Sequence, residues 1–346
     1  MKNSPIQRIY PYKRNGRYYN HVNENPEGFL LKTLPTFLYS MLSGKRRMPK
    51  ADASWDSHRS VSTPSDSITW IGHSSFLINI AGKNILTDPI FGDLTWLYPR
   101  LMSPGINLDY LPQIDVVLIS HNHRDHMDKA TLIGLKAKFP ELKVLVPQGD
   151  KAWFIRHGFS NSSVNEYTWW EQQGYATWSK NVNSTLLFTF LPAVHWSQRG
   201  IFDKNKSLWG SWLIQGEGIT IYFAGDTAYS NHFSIIGQEG FDIDIALMPI
   251  APCEPRQWLK QSHIGPEEAV RAFMDLNAKQ FVPMHWGTFA FGIDSFELPI
   301  NLLKHWWHQN QQALQHKQLH IVPCGMPIDL SYGLEVQQKE LIRENF

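Results

Sequence analysis

Three imidazoles and a carboxylate crowd into six positions at His121-Asn-His-Arg-Asp-His126, directly after the apolar run 116–119. Neutral imidazole nitrogens and carboxylate oxygens are the donors that divalent cations take. If 116–119 is a strand, side chains at i and i+2 beyond it point the same way, so His121 and His123 can grip one ion together. Asp125 and His126 fall on the turn that follows and are free to serve a second ion. Structural histidines rarely cluster so densely, because each buried one needs its own hydrogen-bond partner.

Two ions need more donors than four, since zinc takes four or five and a catalytic ion keeps one position for water. Three further residues sit where a strand-like run ends: His195 after 186–194, Asp226 after 219–225 and His285 after 281–284. A single histidine after a strand is more often a hydrogen-bonded structural residue. The shared placement of all three, strand then ligand, marks them as a set, with Asp226 as the bridging carboxylate. A water held between two cations ~3.5–4 Å apart loses its proton near neutral pH, so the chemistry such a set offers is hydrolysis. Asp125 can also orient that water.

Donors so far apart in sequence require a scaffold that returns each strand end to one rim. Strand-like runs at 67–70, 75–80, 84–87, 115–120, 143–147, 185–191, 207–215, 219–224, 243–249, 280–284 and 320–322 are bounded by Gly, Pro, Asn or Asp. Helical stretches are expected at 128–139, 149–158, 266–276 and 299–315. The third opens on Pro266-Glu-Glu, with Pro in the first turn and acids at the positive end of the dipole. Early hairpins followed by mixed helix and strand imply α/β layers, two sheets with helices outside.

The chain has 346 residues, 42% hydrophobic and 18% charged, enough to bury a large core without crosslinks. Its two cysteines, Cys253 and Cys324, make no disulfide framework, which fits a reducing cytoplasm. No run of 18 apolar residues is present, and the first residues lack a signal pattern. The net charge of +1 is unevenly spread: residues 1–50 carry ten Lys/Arg against two acids, so the remainder is acidic. Residues 1–60 read as a basic extension with a linker, and 61–346 as the catalytic domain. Within the extension, Thr33 caps a short apolar helix bearing Leu34, Phe37, Leu38 and Met41 and stopped at Gly44, with Lys45-Arg-Arg47 beyond. That segment either lies on an anionic membrane or packs on the body.

The His-x-His-x-Asp-His signature with a later His, Asp and His resembles the metallo-β-lactamase superfamily. More narrowly, it is similar to the branch containing N-acyl-phosphatidylethanolamine-hydrolysing phospholipase D. The stretches that carry the likeness run in order over residues 68–290: Thr69-Trp-Ile-Gly-His-Ser-Ser75, Leu86-Thr-Asp-Pro-Ile-Phe91, the 119–126 segment, Trp169-Trp170, His195-Trp196, Leu208-Trp-Gly-Ser-Trp212, Phe223-Ala-Gly-Asp-Thr227, Glu254-Pro-Arg256, His263-Ile-Gly-Pro-Glu-Glu-Ala269 and His285-Trp-Gly-Thr-Phe289. The resemblance implies an αββα sandwich of two mixed β-sheets flanked by helices. It assigns His121, His123 and His195 to one ion, Asp125, His126 and His285 to the other, and Asp226 to both. It also implies a supporting role for Asp88, for which turn capping at Asp88-Pro89 is the plain alternative, and a substrate-facing role for His263. Asp rather than Glu at 125 is similar to the hydrolytic members rather than the di-iron oxygen-reducing ones.

The function this implies is a phospholipase D-type phosphodiesterase acting on N-acyl phospholipids, with two Zn2+ ions; a His/Asp list does not separate zinc from manganese or iron. A hydrolase of another ester, amide or lactone, and a non-catalytic metal-held scaffold, are the competing readings. Nucleic acid is disfavoured as a partner, because the body is acidic and no basic stripe with interleaved aromatics occurs outside the extension. The expected location is the cytoplasm, with peripheral contact at the inner membrane face, and the expected assembly is a homodimer.

Overall fold

The structure is a computed structural model that describes residues 7–21, 55, 66–179 and 182–330. The proposed apolar helix near 33–44 and most of the linker lie outside the described residues.

Two seven-stranded mixed sheets face each other. The N-terminal sheet is built from β3 (Ser67–Gly72), β4 (Ser75–Ile80), β5 (Lys83–Thr87), β6 (Val116–Leu118), β7 (Lys143–Pro147) and β8 (Val164–Tyr167), with β16 (Pro327–Asp329) returning to its free edge beside β3. The other sheet runs in the order β15 (Gln318–Leu319), β14 (Gln280–Met284), β13 (Ile245–Pro249), β12 (Ile219–Phe223), β11 (Ser211–Gly216), β10 (Val182–Leu191), β9 (Gln172–Ser179). In each sheet antiparallel hairpins give way to parallel strands, at β5–β6 in one and β12–β13 in the other. Parallel pairs need crossovers. Those are supplied by α1 (Lys129–Lys138) and α2 (Lys151–Arg156) on one side, and by α3 (His232–Gln238), α4 (Arg256–Leu259), α5 (Pro266–Asp275) and α6 (Leu298–Gln309) on the other.

Strand alternation divides the apolar side chains between two cores. Phe76, Ile78 and Ile80 of β4, Ile85 of β5, and Val116 and Leu118 of β6 join Phe188, Phe190, Trp212, Ile214 and Phe223 between the sheets. The residues between them, Leu77, Leu86 and Val117, face outward onto Leu132, Leu135 and Phe154 of the covering helices. Strands covered on both faces read as unbroken apolar runs, which is why the interior ones are conspicuous in the sequence.

The expected strand at 207–215 starts only at Ser211. Residues before it leave the ladder and tie the sheets together: Leu208 N–H donates to Gln148 O (2.9 Å) and Gly210 N–H to Ser120 O (3.0 Å). The helix expected to reach residue 315 stops at Gln309. Part of the basic extension packs on the body as the hairpin β1 (Tyr12–Arg14) and β2 (Arg17–Tyr19), with Tyr18 buried and its N–H donating to Asn205 O at 2.7 Å.

Candidate metal centre

The donors gather at one rim of the sandwich, each at a strand end. Ile119 N–H continues the β6 ladder onto Leu145 O, after which the chain turns sharply, with the N–H groups of His126 and Met127 both directed at His123 O. That single turn carries His121, His123, Asp125 and His126. His195 follows β10, Asp226 follows β12 and His285 follows β14. Gly225 lets Asp226 approach: its φ is +60°, and a Cβ there would lie 2.6 Å from Ser120 Cβ.

One triplet comprises His121 Nε2, His123 Nδ1 and His195 Nε2. The first two nitrogens are 2.8 Å apart, and His195 Nε2 is 3.3 Å from His123 Nδ1. The second group comprises Asp125, His126 and His285 together with His73, all with donor atoms within 4.8 Å of one another. Asp226 faces both. Its Oδ2 lies 3.9 Å from His121 Nε2, 3.8 Å from His195 Nε2 and 3.3 Å from His126 Nε2, while its Oδ1 lies 3.0 Å from His285 Nε2. All seven residues singled out as ligands in the sequence therefore meet, and His263 joins them with Nδ1 3.6 Å from Asp226 Oδ2.

The imidazole tautomers are fixed from behind. His195 Nδ1–H donates to Ser262 O (2.8 Å), His126 Nδ1–H to Asp88 Oδ2 (2.8 Å) and His121 Nδ1–H to Ser120 Oγ (2.9 Å). Each bond leaves Nε2 aimed inward. Asp88 also accepts from Ser120 N–H at 2.7 Å and Ser120 Oγ–H at 2.5 Å, so its carboxylate braces the ligand loop rather than capping its own turn.

Charge completes the picture. Burial pulls His73 and His195 down to about 3 and His123 to about 4, and it holds His121 well below the ordinary imidazole value. Burial pushes the Asp125 and Asp226 carboxyls upward, but neighbouring imidazoles, His126 first, hold both well below the usual carboxylate range. His126 alone is held up: burial opposes its charge, and the Asp226 and Asp125 carboxylates overcome that. Two ionised carboxylates thus sit among mostly neutral imidazoles, and His126 Nε2, His285 Nε2, His263 Nδ1 and Asp226 Oδ1 are buried without hydrogen-bond partners. Buried negative charge and inward lone pairs call for cations. The N/O donor set fits two divalent ions.

Further side chains contribute to which the sequence gives no role. His73 gives its Nε2 to Asp125 Oδ2 (2.9 Å), and its main-chain O accepts from His285 N–H (3.0 Å). His73, Asp88 and His285 all have positive φ, at 52°, 31° and 63°; left-handed backbone at non-glycine residues concentrates at functional sites. Trp196 packs edge-on to His123 with ring centroids 4.1 Å apart. Asn20, from the N-terminal extension, brackets His195 by accepting from its N–H and donating to its O (2.8 Å); nothing in the sequence links positions so far apart.

The β-lactamase superfamily domain model matches residues 83–286, well over half of the chain. The chain belongs to the metallo-β-lactamase superfamily. It is a metal-dependent hydrolase, 34% identical over 246 residues to N-acyl-phosphatidylethanolamine-hydrolyzing phospholipase D 1 of Caenorhabditis elegans, a match covering 68% of each chain. It is also 34% identical to the mitochondrial enzyme of the same name from Saccharomyces cerevisiae, covering 69% of this chain but only 52% of that one. Among solved structures, a metallo hydrolase of the archaeon Ignicoccus hospitalis aligns with a TM-score of 0.56 at 22% identity, over 76% of this chain and 97% of the other. That likeness shows the superfamily's sandwich. Among the described residues, no helix is long and apolar enough to cross a membrane.

Proposed function

We propose that this superfamily member is a phospholipase D-type phosphodiesterase that cleaves N-acyl-phosphatidylethanolamine-like phospholipids to phosphatidic acid and an N-acylethanolamine. The observation that carries the reading is the convergence of two donor groups on Asp226, in a chain 34% identical to enzymes with that activity. We assign His121, His123 and His195 to one Zn2+ ion, Asp125, His126 and His285 to a second, and Asp226 to both. When bound, the pair would supply acidified water and neutralise phosphoryl oxygens.

The chain's own residues do the rest. Asp125, steered by His73, accepts a hydrogen bond from the attacking water and aims its lone pair at phosphorus. His263, pulled down to about 3 chiefly by burial, is a neutral imidazole. It donates an N–H hydrogen bond to a phosphoryl oxygen and holds the ester in line, while the proton given up by the attacking water passes to the departing alkoxide, which leaves as the N-acylethanolamine. Phe289, Ala290 and Phe291 line a small recess beside His285 and give the rim an apolar border there. Both cysteines are buried and neither forms a disulfide, which suits a reducing cytoplasm.

The test is product identification. N-acyl-phosphatidylethanolamine incubated with the metal-loaded protein should yield N-acylethanolamine and phosphatidic acid by mass spectrometry, and a chelator should stop the reaction. Turnover of a lactone or nitrocefin without any N-acylethanolamine would sink the phosphodiesterase reading.

A further inference from the structure

Large apolar side chains scattered singly over a surface need no explanation. Four of them stand on two turns that share one recess. Trp96 and Leu97 are 87% and 43% exposed, and Ile201 and Phe202 are 84% and 80% exposed. The first pair tops a tight turn closed by Tyr98 N–H to Thr95 O (2.9 Å) and Leu94 N–H to Tyr98 O (3.2 Å). The second tops a turn in which Asp203 accepts from the N–H groups of Arg199 (3.2 Å) and Gly200 (2.8 Å). Leu94 from one turn and Gly200 from the other line the recess between them, of about 490 Å³, together with Arg124, Lys129 and Arg199.

Both turns are rooted in the metal centre. Tyr98 packs on Phe291 (5.5 Å between centroids), which lies 5.6 Å from the His73 ring. Trp196 lies against His123, and Arg199 Nη1 donates to Asn122 O (3.0 Å) and Met127 O (2.7 Å) on either side of the ligand loop. The exposed tips are therefore held by hydrogen-bonded turns, each linked through these contacts to the metal centre.

We propose that these two turns dock the enzyme on an anionic bilayer, with Trp96, Leu97, Ile201 and Phe202 entering the interface and the surrounding cations meeting lipid phosphates. Trp and aliphatic side chains at exposed tips, with basic residues just behind them, fit that boundary. Arg124 and Lys129 are exposed in the recess, Lys204 lies over Trp196, and Arg17 reaches Phe202 O. The nearby acids Asp93, Asp128 and Asp203, which accept from backbone N–H groups of Arg100, Thr131, Arg199 and Gly200, are outnumbered by the cations Arg17, Arg124, Lys129, Arg199 and Lys204. A lipid substrate would then reach the metal rim without leaving its membrane. The inference rests on the lipid reading above, so its test uses vesicles that contain no N-acyl lipid.

The full-length protein is sedimented with vesicles of phosphatidylcholine, with and without phosphatidylglycerol. The wild type should bind the mixed vesicles more tightly. The Trp96→Ser, Phe202→Ser double variant should bind about tenfold or more weakly, with its metal content and thermal transition unchanged. Lys129→Gln with Lys204→Gln should erase the preference for phosphatidylglycerol. Because both native cysteines are buried, Ile201→Cys can carry an environment-sensitive dye, whose emission should shift to the blue on vesicles. Wild-type binding by the double variant, or a dye indifferent to vesicles, overturns the docking surface. Hydrolysis of N-acyl-phosphatidylethanolamine in detergent without vesicle binding sinks docking alone; vesicle binding without that hydrolysis sinks the substrate reading alone.

Discussion

His195 and His126 approach the same Asp226 oxygen, at 3.8 and 3.3 Å, but different acceptors hold them there. Behind His195 stands a main-chain carbonyl, Ser262 O, and behind its neighbour His121 a hydroxyl, Ser120 Oγ. Behind His126 stands the fully buried Asp88 carboxylate, and beside it Asp125 takes a bond from His73. The first donor group is thus three imidazoles, two of them backed by neutral dipoles. The second already contains one carboxylate and is backed by another. A negative charge behind an imidazole raises its basicity and pins its tautomer more firmly than a neutral acceptor does. The second group should therefore depend more on its supporting residue than the first.

Removing what the two groups share should have the largest effect. Asp226→Ala takes away both oxygens between them and should cut turnover by on the order of a thousandfold or more, several kcal/mol of transition-state stabilisation. The core between the sheets should stay folded, because Asp226 sits at the rim and not in that core. Elemental analysis should find fewer than two ions per chain, and circular dichroism should be unchanged. Two ions retained with full turnover would break the shared-carboxylate model.

The supporting residues sharpen the contrast. Asp88→Asn presents an amide N–H to His126 Nδ1–H, which forces the other tautomer and places a proton on Nε2. Activity should fall roughly 10- to 100-fold, with one ion lost on mild dialysis. Ser120→Ala removes the neutral acceptor behind His121, and one donor to Asp88, and should cost only about threefold to tenfold. If Ser120→Ala proves the more damaging, charge behind the imidazole is not what separates the groups.

How much of this was legible beforehand follows the same physics. The interior strands and the strand-then-ligand pattern were conspicuous because burial on both faces of β6, β12 and β14 leaves apolar runs that lead into a donor. The edge strands were not. β9 opens Gln172-Gln-Gly with all three residues exposed, which writes no apolar alternation into its start, and β8 and β16 lie at edges too. At the site, ligands were readable as residue types, but their supports were readable only in part. Asp88 and His263 needed the family likeness, whereas Ser262 works through a carbonyl that any residue would carry. Asn20 lies 175 positions from His195. The positive φ of His73 and His285 leaves no mark at residues that are not glycine.

The smallest effect concerns the buried carboxyl just outside the cluster, and it separates local support from general stability. Asp150 follows β7, is 2% exposed, and accepts from Asn122 Nδ2 at 2.8 Å, on the ligand loop between His121 and His123. Burial pushes its carboxyl up to about 7, against hydrogen bonds from Ser207 and Asn122 that favour the charged form. In the unfolded chain an aspartate releases its proton near ~3.9. Between roughly pH 4 and 7 the folded protein therefore holds a proton that the unfolded chain has lost, and stability falls as pH rises through that window. Above it both states are ionised and the penalty is constant, of order a few kcal/mol at most. Asp150→Asn keeps the shape and the acceptor for Asn122 but has nothing to ionise. The difference in Tm between variant and wild type should be flat below about pH 4, grow in the variant's favour toward pH 7, and then level off. Turnover at pH 7 should change little if Asn122 keeps its bond. A Tm difference independent of pH would show that Asp150 is already ionised in the folded protein, and that the ligand loop is braced by a charge after all.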